Sequence, residues 1–130
     1  MTDDELARII VQASFDLHRE LGPGLLESVY EFLLASALEG QGLTVDRQRP
    51  IAISFRGKTF DEGFRADLIV ENRILVELKA VEVLGKVHSK QTFTYLRLSN
   101  LRVGLLINFG GALLKGNIER IVNGPERVQA

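Results

Sequence analysis

The chain has 130 residues, 45% hydrophobic and 25% charged, which is the balance of an ordinary globular protein long enough for one core. It holds no cysteine and only His18 and His88 as imidazoles, which excludes disulfide frameworks and zinc–thiolate sites and leaves carboxylate oxygens as the main metal donors. The net charge of −1 hides an asymmetry: residues 1–46 carry 2 basic and 9 acidic side chains, 47–102 carry 11 and 6, and 103–130 carry 3 and 2. The middle block is therefore locally basic, and local density is what attracts a polyanion.

Thr2-Asp3-Asp4-Glu5 has the spacing of a capping box, and Leu6, Ile9, Ile10, Ala13, Leu17 and Leu21 recur at helical intervals. A helix is predicted over residues 3–20. Gly22-Pro23-Gly24 breaks it, and a second helix is predicted from Leu25 to Glu39, stopped by Gly40 and Gly42. From Leu43 the period changes to two. Residues 43–48 and 51–55 read as strand pieces around Pro50, which suits an edge or a bend. Arg56-Gly57-Lys58 is a turn, 59–61 resumes extended structure, and 64–70 and 74–81 are the strongest strand candidates. Lys86–Ser99 reads as a helix, 102–109 as a strand, Gly110-Gly111 as a turn and 116–122 as a last strand. The order implies one α/β domain over residues 1–123 with a mixed sheet, the helix at 86–99 crossing over between two parallel strands. Residues 124–130 form a short tail expected to fray. The acidic start carries no signal-peptide pattern, and no apolar run approaches the ~20 residues of a membrane span. A cytoplasmic protein with no membrane partner is expected.

The stretch FRADLIVENRILVELKA, residues 64–80, is unusual. Within its two strand runs, 64–70 and 74–80, the even positions are all apolar, while Asp67, Glu77 and Lys79 interrupt the odd ones. Side chains alternate across a sheet, so the even face is expected to be core and the odd face to carry a charged middle. A three-residue turn, Glu71-Asn72-Arg73, pairs Val70 with Ile74, sets Asp67 opposite Glu77 and Arg65 opposite Lys79. Facing carboxylates repel unless a positive charge joins them. Lys79 supplies one such charge and a divalent cation would supply more. Cross-strand ion pairs, Asp67–Lys79 and Glu77–Arg65, are a purely structural alternative worth ~0–1 kcal/mol each.

Asp67 followed by Glu77-Leu78-Lys79 resembles the PD-(D/E)xK nuclease signature, with Ala66 where the name has Pro. Gly24-Leu25-Leu26-Glu27-Ser28-Val29-Tyr30 resembles the defining motif of the small GxxExxY proteins of that superfamily, and GFRADLIVENRILVELKAVE and YLRLSNLRVGLLINFG look similar too. The resemblance spans roughly residues 5–122. It implies a restriction-endonuclease-like core, a mixed β-sheet flanked by α-helices, and phosphodiester hydrolysis of nucleic acid, with DNA the favoured substrate. It also implies Mg2+ (or Mn2+) held by Asp67, Glu77 and the Leu78 carbonyl, with Glu27 holding a metal-bound water or a second ion. Lys79 would act on the attacking water or on the transition state.

Further residues are assigned on the same basis. Tyr30, at i+3 from Glu27, would face substrate beside it. Gln91 and Tyr95, at i and i+4, resemble a Gln-x-x-x-Tyr element that follows the core motif in related branches; Gln91 would join the catalytic group and Tyr95 would contact the substrate backbone. Arg65, Lys86, His88, Lys90 and Arg97 are candidate phosphate contacts. Asn108-Phe109-Gly110-Gly111 is read as packing and turn rather than as a phosphate cradle. A homodimer built on the apolar first helix is a further expectation. The competing function is a non-catalytic nucleic-acid- or protein-binding module that keeps the nuclease fold.

Overall fold

Thr2 caps the first helix as its spacing requires: its Oγ1 accepts the Glu5 N–H at 3.1 Å, and Glu5 Oε2 accepts the Thr2 N–H at 3.0 Å. The computed structural model describes residues 1–124. In chain order it contains α1 (Asp3–Leu21), α2 (Glu27–Gly40), β1 (Val45–Phe55), β2 (Lys58–Val70), β3 (Ile74–Lys79), α3 (Lys86–Ser99), β4 (Val103–Asn108) and β5 (Ile118–Val122). Residues 125–130 of the expected tail lie outside the described residues.

The five strands form one sheet in the order β1-β2-β3-β4-β5. All neighbours are antiparallel except β3 and β4, which run parallel with α3 as the crossover. This is a mixed sheet flanked by three helices, as expected from the element order. Strand β1 is continuous through Pro50, whereas the sequence points to two pieces. It is an edge strand, and an edge tolerates a residue that donates no hydrogen bond. Strand β3 ends at Lys79 rather than at Val81 because the Val81 N–H and carbonyl bond to the side chain of Asn108 instead of a ladder.

Both faces of the sheet are buried, which corrects the expectation of a single core face. Leu6, Ile10, Leu34 and Leu38 of α1 and α2 pack on Leu68, Val70, Ile74, Val76 and Leu78. On the other face Leu96 of α3 packs with Ile69, Leu75, Leu106 and Ile121. Each such side chain contributes about 1.5–3 kcal/mol by leaving water. Phe64 and Ala66, although even-numbered, join the α3 cluster. The alternation of β2 therefore inverts at Asp67. Pairing of Arg47 with Leu68 and of Arg49 with Ala66 puts Gln48 opposite Asp67, and Gln48 has φ 52°. A left-handed non-glycine residue inside a strand costs ~1–3 kcal/mol, and here it marks where β1 and β2 turn over together.

After β4 the chain returns against the end of β3. The fully buried Asn108 accepts the Val81 and Gly110 N–H groups through Oδ1, at 3.0 Å each. Its Nδ2 donates to Val81 O at 2.9 Å and to Asn117 Oδ1 at 3.1 Å. Gly110 lies so close that a Cβ there would overlap the backbone of Ala80 and Val81. Gly110→Ala should lower unfolding free energy by about 2–3 kcal/mol in urea titration. Gly40→Ala, which meets open space at the end of α2, should be neutral or stabilising by up to ~1 kcal/mol.

Candidate active site

Strands β2 and β3 pair in the expected register, but only over Val70↔Ile74, Ile69↔Leu75 and Leu68↔Val76. Beyond Leu68 they splay. The splay leaves backbone donors without a ladder partner, and buried donors must be satisfied. Each strand's carboxylate does so for the other: Glu77 Oε1 accepts the Asp67 N–H at 3.1 Å, and Asp67 Oδ2 accepts the Leu78 N–H at 2.9 Å. The Lys79 carbonyl bonds the Phe109 N–H at 2.8 Å, on the β4 side. Backbone groups alternate in direction along a strand, so the Leu78 carbonyl faces the gap, where an ion would need it.

Glu77 is almost completely buried, 4% exposed, while Asp67 and Lys79 are half-buried. Burial, then the charge of Asp67, pushes the Glu77 carboxyl up to about 9, against the weaker pull of Lys79. The shift favours the protonated form of Glu77 at neutral pH. The site is one positive charge short.

Glu27 opens α2 and reaches this gap from the other side. Its carboxyl is raised by burial first, then by the charge of Asp67, with Lys79 and the nearby Ala80 backbone opposing. Tyr30 sets its approach. The Tyr30 hydroxyl donates to Gly22 O at 2.6 Å and accepts the Leu25 N–H at 3.2 Å, while its ring stacks on Phe109 at 4.7 Å. It is fully buried. The expected substrate contact for Tyr30 is thus corrected: it fastens the loop that delivers Glu27.

Three residues of the site, Gln48, Glu31 and Arg47, receive no role from the sequence alone. Gln48 Nε2 donates to Glu31 Oε1 and, at 3.2 Å, to Asp67 Oδ1. The buried Glu31 also accepts from Arg47 Nη2 at 3.0 Å. Gln48 is visible only once the strands are folded, because its side chain points at Asp67 through the inverted backbone. Glu31 is legible as the i+4 neighbour of Glu27, but its part in this chain of hydrogen bonds is not.

The remaining candidates divide by helix face. Tyr95 stacks on Phe64 at 3.9 Å, and its hydroxyl is shifted up by burial, then by the charges of Glu77 and Asp67, so it borders the site. Gln91 lies one turn earlier on the same face and is exposed, with no hydrogen bond among the described residues. Lys86, Lys90 and Arg97 sit more than a third of a turn round from Tyr95. Lys90 and Arg97 line a separate groove of about 440 Å³ with Phe93 and Ile121, so they do not border the acids. His88 Nδ1 accepts the Gly85 N–H at 3.1 Å, which is a helix-start contact. Arg65 pairs with Glu62 and faces Pro50 of β1 rather than Lys79, which removes the Glu77–Arg65 ion pair of the purely structural alternative.

Among the described residues no group of three His, Asp or Glu side chains already converges as a metal cage. The donor chemistry still fits a hard cation. Two carboxylates bonded across the same strand gap, a carbonyl aimed between the strands and a carboxyl pushed up by burial and its neighbour's charge are oxygen ligands lacking positive charge.

A family model described as PD-(D/E)XK nuclease superfamily matches residues 4–121. No curated protein sequence is significantly similar to the chain. A solved structure titled "Crystal structure of SSO0001" is similar with a TM-score of 0.53 at 23% identity, over 78% of this chain and 52% of that one. The chain thus spans about half the length of that protein, and the likeness is one of fold.

A raised carboxyl makes a signed claim about stability. Between the ordinary glutamate range and about pH 9 the folded state holds a proton at Glu77 that the unfolded chain has released, so stability must fall as pH rises. In chelator, urea titrations from about pH 5 to about pH 9 should show that decline, with a limit near 1.4 kcal/mol per pH unit from this one group. Glu77→Gln, which imitates the protonated acid, should flatten it.

Proposed function

The chain belongs to the PD-(D/E)XK nuclease superfamily, and from that premise we propose that it is a metal-dependent nuclease that hydrolyses phosphodiester bonds, DNA by preference. The observation that carries this reading is the pair of carboxylates exchanged across the β2–β3 splay, with Lys79 two residues beyond Glu77. Mg2+ or Mn2+ at this position would be held by Asp67, Glu77 and the Leu78 carbonyl, where it would supply a water of lowered pKa and neutralise charge on a phosphate oxygen. The motif around Glu27 supports the finer placement among the GxxExxY proteins, and a cytoplasmic setting and a homodimer complete the reading.

The chain's own groups divide the work. Asp67 and Glu77 present negative oxygen to the cation once Glu77 has released its proton. Glu27, delivered to the gap by the loop that Tyr30 fastens, orients water at its open side. The Lys79 ammonium donates a hydrogen bond to the attacking water or to a non-bridging oxygen. As the water oxygen bonds to phosphorus, the phosphorus–oxygen ester bond breaks, the water's proton passes to solvent, and the leaving oxygen is protonated. Gln48 holds Asp67 in place, and Tyr95 borders the path at the edge of the sheet.

One observation favours a second reading, a non-catalytic binding module: the carboxylates already satisfy backbone donors, so they help the fold without any metal. Cleavage decides between the two. Purified protein with Mn2+ should cut plasmid or single-stranded DNA, chelator should stop it, and Asp67→Asn, Glu77→Gln and Lys79→Ala should each slow it about 10²–10⁴-fold. Absence of cleavage on any DNA or RNA topology, or variants as active as the wild type, would leave the binding module.

A further inference from the structure

The β1–β2 hairpin extends well past the strand it shares with the rest of the sheet. Strand β2 starts at Lys58, yet it pairs with β3 only from Leu68 to Val70. The tip is a two-residue turn at Arg56 and Gly57, with φ 48° and 80°. Both values are left-handed, as a tight hairpin turn requires.

One face of this hairpin is apolar without being covered. Ile51 and Ile53 pack against the α3 cluster, and cross-strand pairing sets Ile51 opposite Phe64, Ile53 opposite Phe60 and Phe55 opposite Lys58. Residues opposite one another share a face, so Phe60 and Phe55 continue the line that starts at Phe64. The bulge between the Ile51 and Ile53 pairs does not interrupt it: Ile53 lies across Gly63, where a Cβ would overlap it. Phe55 and Phe60 are 69% and 70% exposed, and an apolar patch open to water needs a reason. The opposite face is polar, with Ser54 Oγ and Thr59 Oγ1 in contact at 3.1 Å.

Two further observations indicate what covers it. The line ends at the site, because Phe64 stacks on Tyr95, whose hydroxyl feels the charges of Glu77 and Asp67. The tip is also cationic. Segment Ser54–Phe60 carries Arg56 and Lys58 and no acid, and the Arg56 guanidinium lies 5.1 Å from the centre of the Phe55 ring. Aromatic rings interleaved with cations match bases strung on phosphates, since every base has a face to stack and every linkage a negative charge. A second copy of the chain would bring two positive tips together.

We propose that this hairpin face is a stacking platform for unpaired bases, binding single-stranded nucleic acid and leading it toward Asp67 and Glu77. Only what happens to the strand after binding rests on the nuclease reading above.

The test uses the full chain in chelator, with fluorescein-labelled oligo-dT and a blunt duplex as probes and anisotropy as the readout. The wild type should prefer oligo-dT. Phe55→Ala/Phe60→Ala should weaken oligo-dT binding about 10–100-fold with little effect on the duplex, and Phe55→Tyr/Phe60→Tyr should retain it. Arg56→Ala/Lys58→Ala should reduce the salt dependence by roughly 0.7 in log–log slope for each phosphate no longer neutralised. Both Phe residues are exposed, so each variant should fold, which far-UV circular dichroism checks. Unchanged oligo-dT affinity in the alanine pair, or a wild type that holds duplex as tightly as oligo-dT, overturns the platform. So does a wild-type dimer that the alanine pair converts to monomer while oligo-dT affinity stays constant. A wild type that binds through the two rings but cuts nothing contradicts the nuclease reading alone. One that cuts oligo-dT equally well without the rings contradicts the platform alone.

Discussion

Two strands that should remain paired come apart at Leu68 and Val76, and the rest of the site follows from that. A ladder broken inside a protein leaves amide donors that must find acceptors. Here the acceptors are the carboxylates of Asp67 and Glu77, each bound to the other strand's backbone. The same bonds that repair the sheet hold two acids against one another, one of them buried deeply enough to keep its proton. Structure and chemistry therefore draw on a single device, and an ion entering the gap would replace a proton rather than open a new cavity.

Around the splay, polar clamps hold segments that have no ladder of their own. Asn108 grips the chain just beyond Lys79, Tyr30 fastens the loop before Glu27, and Gln48 joins Asp67 to the buried Glu31. None of these three needs to touch substrate. They explain why buried polar groups persist here: each satisfies donors or acceptors in a segment that no ladder or helix serves. The inversion of β1 and β2 at Gln48 and Asp67 then turns the outer hairpin so that its apolar line faces the α3 side, next to the acids.

Much of this is legible before folding. The cap at Thr2, the three helices, the parallel crossover and the register from Val70↔Ile74 all follow from spacing and turn chemistry, because each depends on neighbours close in sequence. Asp67, Glu77 and Lys79 stand out as charges in apolar runs, and Glu27 through its motif. Alternation alone misplaces Phe64 and Ala66, since a strand that turns over keeps its parity in sequence and loses it in space. Tyr30 reads as a substrate contact because i+3 spacing reports a shared face but not which of two neighbours is buried. Lys86 and Lys90 are charged and near the motif in sequence, yet α3 carries them round to the flank opposite Tyr95. Gln48 gives no signal, because its role comes from a left-handed backbone that no local pattern announces.

The protonation of Glu77 is the point at which structure and chemistry meet, and carbon-13 NMR of the labelled side-chain carboxyls reads it directly. In metal-free protein at neutral pH, the Glu77 carboxyl should resonate as the protonated acid and titrate far above the ordinary glutamate range, and Mg2+ or Mn2+ should ionise it with release of a proton. A Glu77 resonance that titrates like an exposed glutamate and ignores both ions would contradict the account of a buried acid that a cation ionises.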